Sequence, residues 1–292
     1  MLNPAKTCTS LLHEVLAYEL RKTLFEVPYS SVSQFYTFVA GQDLPRQAGL
    51  SCVWQSYHLG ESLRRKHVCD VSYLLDGRHV AVLCHADGLY WLLDPYLLHT
   101  TPLALGDLQS DSVTDVPAYP FRNAQDGTSK PSRLKAEFAA DVRQLRLTYT
   151  RYSPVRGFHV TSRYFSFALD RPAPDQPPPG DDIVPLLFHP EQNNLSVRIV
   201  SGDDHRLHEV IYPLALHADA EPDPSHLLVR DNAGRVYGCA QSPHYGFGFQ
   251  RVARALRFDE RRLRDFMLDA VAIYRQHAPQ GICYPPYVIK DE

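Results

Sequence analysis

Cys52, His79 and Asp94 occur in that order in the chain, and they are the residue types that turn a thiol into a working nucleophile. The cysteine would attack, the histidine would take its proton, and the carboxylate would orient the imidazole and steady its charge. Such a trio forms and breaks thioesters and amides through an acyl-cysteine. The chain has 6 cysteines and 14 histidines, so residue types alone would pick out many trios, and the choice must rest on the elements that position them.

Residues 79–94 read as a hairpin. His79 to Cys84 and Leu89 to Leu93 are rich in Val and Leu, and His85-Ala86-Asp87-Gly88 between them carries a turn signal. With all four residues as the loop, Cys84 faces Leu89 and His79 lies directly opposite Asp94. With Asp87-Gly88 as a two-residue turn, Asp94 is the diagonal neighbour of His79 on the same face. Either register brings the two side chains within roughly 5–8 Å at Cβ. An odd-length loop or a bulge would place them on opposite faces.

The cysteine sits in Gly49-Leu50-Ser51-Cys52-Val53-Trp54. Ser51 is expected to cap a helix running from Cys52 to about Arg65, with Ser56, Leu59 and Leu63 on one stripe and Gly60 interrupting it. A thiol in the first turn of a helix feels the positive end of the dipole and the unpaired backbone N–H groups, which favour thiolate. The same N–H groups would hold an oxyanion.

Around this stretch, residues 8–26 are expected to be helical, with Leu12, Leu16 and Leu20 among the apolar positions and Thr9 or Ser10 at the start. A short helix is expected over 33–39. From Val68 the period becomes two, and 71–75, 78–84 and 89–93 read as three antiparallel strands. Residues 106–132 read as irregular, 133–150 as strand or helix with the alternation of Leu145, Leu147 and Tyr149 favouring strand at its end, and 160–169 as strand. Arg171 to Asp182, with five prolines, reads as an extended linker that neither pairs nor coils. Beyond it, 195–200 and 208–216 read as strands, 227–230 and 235–239 as a hairpin, and 259–276 as a closing helix. That helix places Leu263, Phe266, Met267, Ala270, Val271 and Tyr274 on one face.

With 44% hydrophobic residues over 292, the chain can bury a full core in two or three domains. A net charge of −3 argues against a nucleic-acid partner, and no apolar run approaches the roughly 20 residues of a membrane span. The N-terminus lacks a signal-peptide pattern, and Cys8, Cys52, Cys69, Cys84, Cys239 and Cys283 are scattered with no C-x-x-C pair. The expectation is a cytoplasmic protein with reduced thiols, no structural metal and no membrane association.

Several motifs resemble the arylamine N-acetyltransferase family of papain-like and transglutaminase-like cysteine enzymes. Leu20 to Ser31 looks like the family's helix ending in Val-Pro-Phe-Glu-Asn, and Gly49-Leu50-Ser51-Cys52 stands where it has its nucleophile loop. His79 precedes Asp94 by the family's 15-residue spacing, Pro102-Leu103-Ala104-Leu105 resembles its Pro-Leu run, and Tyr164 to Asp170 its Tyr-x-Phe-x-Leu stretch. The match covers about residues 10–105 and is thin afterwards. It implies an α+β fold: a helical domain (1–67) carrying Cys52, an antiparallel β-barrel (68–170) carrying His79 and Asp94, the linker (171–182), and a lid-like α/β domain (183–292). It also implies ping-pong acyl transfer from an acyl thioester, either acyl-CoA or an acyl or peptidyl carrier protein, with no cofactor held by the chain.

The surroundings depart from the family. Ala48-Gly49-Leu50-Ser51 replaces Arg-Gly-Gly-x before the cysteine, Trp54 replaces its acidic or amide residue, and Pro95-Tyr96-Leu97 follows the aspartate. Asp94-Pro95 is closer to the transglutaminase-like pattern. These changes point away from simple arylamine acetylation and toward amide synthesis or Dieckmann-type cyclisation in secondary metabolism. The alternatives are a transglutaminase- or protease-like activity on peptide amides and a non-catalytic interaction module. Trp54 and Tyr96 are candidate walls of the acyl pocket. Phe247, in the aromatic Gly-bearing stretch Pro243 to Phe249 that reads as a tight loop, is another. His85 and Cys84 are expected to sit at a turn tip as solvent-facing, structural residues, His58 to be packing or surface, and the arginines between 251 and 264, interspersed with acidic residues, to form a solvated helix face.

Overall fold

The structure is a computed structural model that describes residues 4–189, 192–217, 220–238, 242–279, 281–282 and 284. It is mixed α+β with antiparallel sheets, and by its internal contacts it divides into two units. One comprises Met1–Leu24 with Cys52–Pro177, the other Phe25–Ser51 with Pro178–Glu292. The division falls inside the Pro-rich run, but the other boundary differs from the expected layout, because 25–51 joins the C-terminal half.

In the first unit, helix α1 (Pro4–Glu26) starts before the expected residue 8, with proline in its first turn, where a missing N–H costs nothing. Its Leu12, Leu16 and Leu20 are buried in one cluster with Leu59 and Leu63 and with Val80, Val82, Trp91 and Leu93. The chain passes into the second unit at the end of α1, forms β1 (Tyr29–Ser30) and a π-helical turn at Phe35–Val39, and returns to the first at helix α2 (Cys52–Arg64). Strands β2 (Asp70–Asp76), β3 (His79–Ala86), β4 (Leu89–Leu93) and β5 (Leu103–Gly106) follow as an antiparallel meander. Val82 pairs with Leu93 and Ala86 with Leu89, so Asp87-Gly88 is the two-residue turn, with both residues at positive φ (51° and 76°). Of the two even registers, the diagonal one holds.

Strands β6 (Ser112–Asn123), β7 (Ser129–Ala139), β8 (Gln144–Ser153) and β9 (Phe158–Ala168) form a second antiparallel sheet. The irregular segment expected over 106–132 is therefore largely strand. Its prolines hid it: Pro117 and Pro120 lie on the edge strand β6, with a register shift between Ala118 and Phe121, and edges and bulges are where a sheet tolerates proline. The expected barrel does not close; its strands form two open sheets. Gly106 and Leu108, at φ 77° and 56°, turn the chain out of the first sheet before β6 begins. The two sheets still meet, where the β9 backbone N–H of Ser166 donates to the Asp76 carboxylate on β2 at 2.7 Å.

The Pro-rich run also departs from expectation. Strand β10 (Pro172–Ala173) pairs with β2 at the edge of the first sheet, and helix α3 (Gly180–Leu187) takes up its end. In the second unit, β1 pairs with β11 (Leu195–Val200), followed in order by β12 (Leu207–Tyr212), β13 (Leu228–Arg230) and β14 (Val236–Gly238). Cys239, the expected end of the last hairpin, lies outside the described residues. Pro243 opens a helix, α4 (Pro243–Ala255), not the expected loop: proline at its first position is pre-set for helical φ, and the glycines that suggested a turn lie within the coil. Helix α5 (Glu260–His277) buries all six predicted face residues, Leu263 through Tyr274.

Gly60 explains the break in the α2 stripe. A methyl group there would stand 2.2 Å from the Tyr73 hydroxyl oxygen and 2.7 Å from two ring carbons. Tyr73 is fully buried and its ring lies 4.2 Å from that of Tyr57, so it has little room to yield. Gly60→Ala is expected to lower unfolding free energy by roughly 1–3 kcal/mol through overpacking, despite alanine's better helix propensity. Urea denaturation measures this; an equal or higher midpoint would contradict the account.

Candidate active site

Helix α2 is fastened to the sheet one turn beyond its first residue: Ser56 Oγ donates to the Val80 carbonyl of β3 at 2.6 Å. Residues four apart on a helix share a face, so this bond brings Cys52 beside the start of β3. The Cys52 thiol reaches the Arg78 carbonyl at 3.8 Å, and Cys52 is half-buried. Ser51, the expected cap, instead has a buried hydroxyl with no hydrogen bond among the described residues.

His79, the first residue of β3, is 3% exposed, and Asp94, just past β4, is fully buried. His79 Nε2 and Asp94 Oδ2 lie 2.6 Å apart. Nδ1 has no well-aligned partner among the described residues, and the Cys52 side chain is a neighbour of the imidazole. Burial alone would push the imidazolium pKa down. The Asp94 carboxylate opposes it by charge and hydrogen bond, Cys52 adds to this, and the result is pushed up to about 10. The structure thus brings the three sequence-predicted residues together.

The aspartate is held by a local device. Asp94 is extended (φ −147°) and its carboxylate accepts from the Leu97 N–H at 3.4 Å, with Pro95 opening the short 3-10 turn Pro95–Leu97. One carboxylate oxygen caps this turn while the other faces the imidazole. The Asp94 backbone N–H donates to His99 Nε2 at 2.9 Å, so the His99 proton lies on Nδ1, which donates to the Thr101 carbonyl at 2.7 Å. His99 is fully buried, and burial lowers its pKa despite the Thr101 bond and the nearby Asp94, which keeps it neutral. His99 has no strand or helix periodicity to announce it, and the sequence reasoning passed it over. His99→Phe leaves the Asp94 N–H and the Thr101 carbonyl unpaired; a loss of roughly 1–3 kcal/mol in unfolding free energy is expected, read by chemical denaturation.

Aromatic side chains enclose the imidazole. Phe165 of β9 stacks on His79 with ring centroids 4.0 Å apart and planes at 24°, and Tyr96 lies 5.3 Å away. Tyr96 therefore lies beside the imidazole. Phe165 was assigned only to a strand, although the alternation of Arg163, Phe165 and Phe167 carried a signal for one shared face. Trp54 is half-buried, meets Tyr57 edge-on at 6.1 Å and packs on the core beneath α2. Phe247 belongs to the second unit, on α4, where it is 50% exposed with the Arg251 guanidinium over its ring.

The residues set aside in the sequence have other surroundings. His85 lies 3.7 Å from Asp70 and stacks on Tyr90. Cys84, expected near a turn tip, is instead fully buried within β3. Arg251 pairs with Asp203 and Asp204, and Arg261 with Asp265. An open depression of about 570 Å³ lined by Gln125, Asp126, Lys130, Tyr152, Phe158 and His159 contains none of Cys52, His79 and Asp94. No helix of the described residues is long and apolar enough to cross a membrane. Neither known family models nor curated proteins match the sequence.

Proposed function

We propose that this chain is a cysteine-dependent acyltransferase of the arylamine N-acetyltransferase type. The reading rests above all on the buried His79–Asp94 pair, 2.6 Å apart, beside a cysteine at the head of a helix. At neutral pH a ring whose pKa is raised to about 10 holds a proton, and the proton it holds is the one that leaves Cys52. The thiolate attacks the carbonyl of an acyl thioester, and backbone N–H groups at the start of α2 take up the oxyanion. As the carbon–sulfur bond of the donor breaks, His79 gives its proton to the departing thiolate, leaving an acyl-Cys52. An amine, or a stabilised carbanion within the same acyl chain, then attacks; His79 takes its proton and the Cys52 thiolate leaves. The acyl group comes from acyl-CoA or a carrier protein, and the acceptor is not a simple arylamine. Amide synthesis and Dieckmann-type cyclisation are the reactions this scheme fits, with the cytoplasm as its setting.

The test is mass spectrometry of the intact protein after incubation with a panel of acyl thioesters, followed by peptide mapping. The expected result is a single acyl mass on Cys52 that is discharged by added amines. Cleavage or cross-linking of peptides by the same protein would favour amide processing, and an unreactive Cys52 would leave only a non-catalytic module.

A further inference from the structure

Two cysteines that the acyl-transfer scheme leaves unused lie together in the first unit. Cys69 sits in the bend that leads into β2, and Cys84 lies within β3. Val71 of β2 pairs with Cys84. Strand alternation carried back from Val71 sets Cys69 on the same face, diagonal to Cys84. Both belong to the apolar cluster that holds Leu59 and Leu63 of α2: Cys84 is one of its buried members, and Cys69 packs against it. This is the face of β3 opposite His79, which stands five residues back along the strand, a rise of roughly 17 Å. The two thiols differ in exposure. Cys84 is fully buried, whereas Cys69 is partly open to solvent, next to the exposed Asp70.

We propose that Cys69 and Cys84 are a redox-active pair, which a hydroperoxide converts into an intramolecular disulfide. The proposal stands apart from the acyl-transfer reading, since it needs neither Cys52 nor His79. Diagonal neighbours across a ladder stand roughly 7–8 Å apart at Cα, just beyond the usual disulfide span of about 4.4–6.8 Å. Cys69 precedes the first paired residue, Asp70, so a small backbone shift there closes the gap with least disturbance to the sheet. The chemistry divides between the two sulfurs. Hydrogen bonding with Cys84 lowers the Cys69 pKa, against burial and the Asp70 charge, while the same partner and burial raise that of Cys84. The more exposed sulfur is therefore the attacking thiolate, and the buried one keeps its proton. As the Cys69 thiolate attacks the peroxide, a sulfur–oxygen bond forms and the oxygen–oxygen bond breaks. The alkoxide leaves and takes up the proton that Cys69 had released. The Cys84 sulfur then attacks the sulfenic sulfur of Cys69; the sulfur–sulfur bond forms, and hydroxide departs with the Cys84 proton as water. Two thiols and one hydroperoxide thus give a disulfide, an alcohol and a water. Cys84 requires no solvent for its step, only the Cys69 sulfur beside it.

The experiment treats the folded full chain with a small excess of hydrogen peroxide, blocks the remaining thiols with N-ethylmaleimide and digests with trypsin in the absence of reductant. Cleavage after Lys66, Arg78 and Arg122 puts Cys69 and Cys84 on separate peptides, 67–78 and 79–122. The expected product is these two peptides joined, lighter than their sum by the two thiol hydrogens and parted again by dithiothreitol. Cys84→Ala is expected to lose the joined product and to leave Cys69 as a sulfenic acid that dimedone traps. Cys69→Ala is expected to lose both signals. Absence of the joined peptides from wild-type protein whose Cys52 is already oxidised overturns the proposal. So does a mixture of cysteine pairings like the one the urea-unfolded chain gives under the same peroxide. The wild-type map decides the matter even if a variant folds poorly.

Discussion

Cys52→Ala protein is expected to take up no acyl mass from any thioester that loads the wild type, and to lose turnover to the limit of detection. The loss is total because the acyl-cysteine is a covalent step, and no neighbouring group replaces a missing nucleophile. Of the other cysteines with described surroundings, Cys84 is fully buried on β3 and Cys69 lies at the other end of the sheet from His79, beside Cys84. Among the described residues, Cys52 is the thiol beside the imidazole. Cys52→Ser separates reactivity from shape, since a hydroxyl of nearly the same size fills the place. A far slower acyl-serine, formed at a rate lower by several powers of ten, is the expected outcome because a serine hydroxyl is a weak nucleophile without strong base assistance. Intact-mass kinetics read both variants. Turnover by Cys52→Ala at the wild-type rate would sink the mechanism.

The pairing of His79 with Asp94 was legible because two regularities of short range happen to enclose it. Asp87-Gly88 is a strong two-residue turn signal, and strand alternation carries that signal outward to His79 and Asp94 without further information. Likewise Leu263, Phe266, Met267, Ala270, Val271 and Tyr274 announced a helix face by spacing alone, and all six are buried. Failures arose where local preference and tertiary position disagree. Pro117 and Pro120 argue against strand in isolation, but an edge strand needs only one side of its backbone free for pairing, and β6 is such an edge. Pro172 likewise pairs at the margin of the first sheet. Gly246 and Gly248 suggested a loop, yet the contacts of Tyr245, Phe249 and Val252 with the second core stabilise helix across them. His99 and Phe165 were missed as site residues for another reason: each acts by where its strand or turn lands in space, His99 beneath Asp94 and Phe165 over His79, and neither landing is encoded in neighbouring residues. The barrel was expected from resemblance alone, and sheet closure depends on long-range strand contacts that no local pattern reports.

Asp94→Asn tests how the aspartate works with least disturbance to its fold. The amide keeps the shape, and its oxygen can still accept from the Leu97 N–H that the carboxylate now caps. The charge beside His79 is lost. Burial is the largest influence on this imidazole and lowers its pKa, and Asp94 is what reverses it. Without the carboxylate the ring is therefore neutral at pH 7, the Cys52 proton has no stable place to go, and an amide N–H opposite Nε2 favours the wrong tautomer. A fall of about 10³–10⁴-fold in acyl transfer is expected, the scale on which charge and tautomer control by a triad aspartate operates. Stability follows the same pair with a definite sign. The His79 pKa is raised above its unfolded value near 6.5 to about 10 in the folded protein, so the stabilisation is fully present below about pH 6.5 and lost as pH rises through 10. Wild-type unfolding free energy should therefore decline between pH 7 and 10, and the part of that slope due to His79 should vanish in Asp94→Asn. Urea titrations at several pH values read the difference between the two proteins. Parallel profiles would mean that the carboxylate does not hold the ring's proton, and the ion-pair form of the mechanism would fall with it.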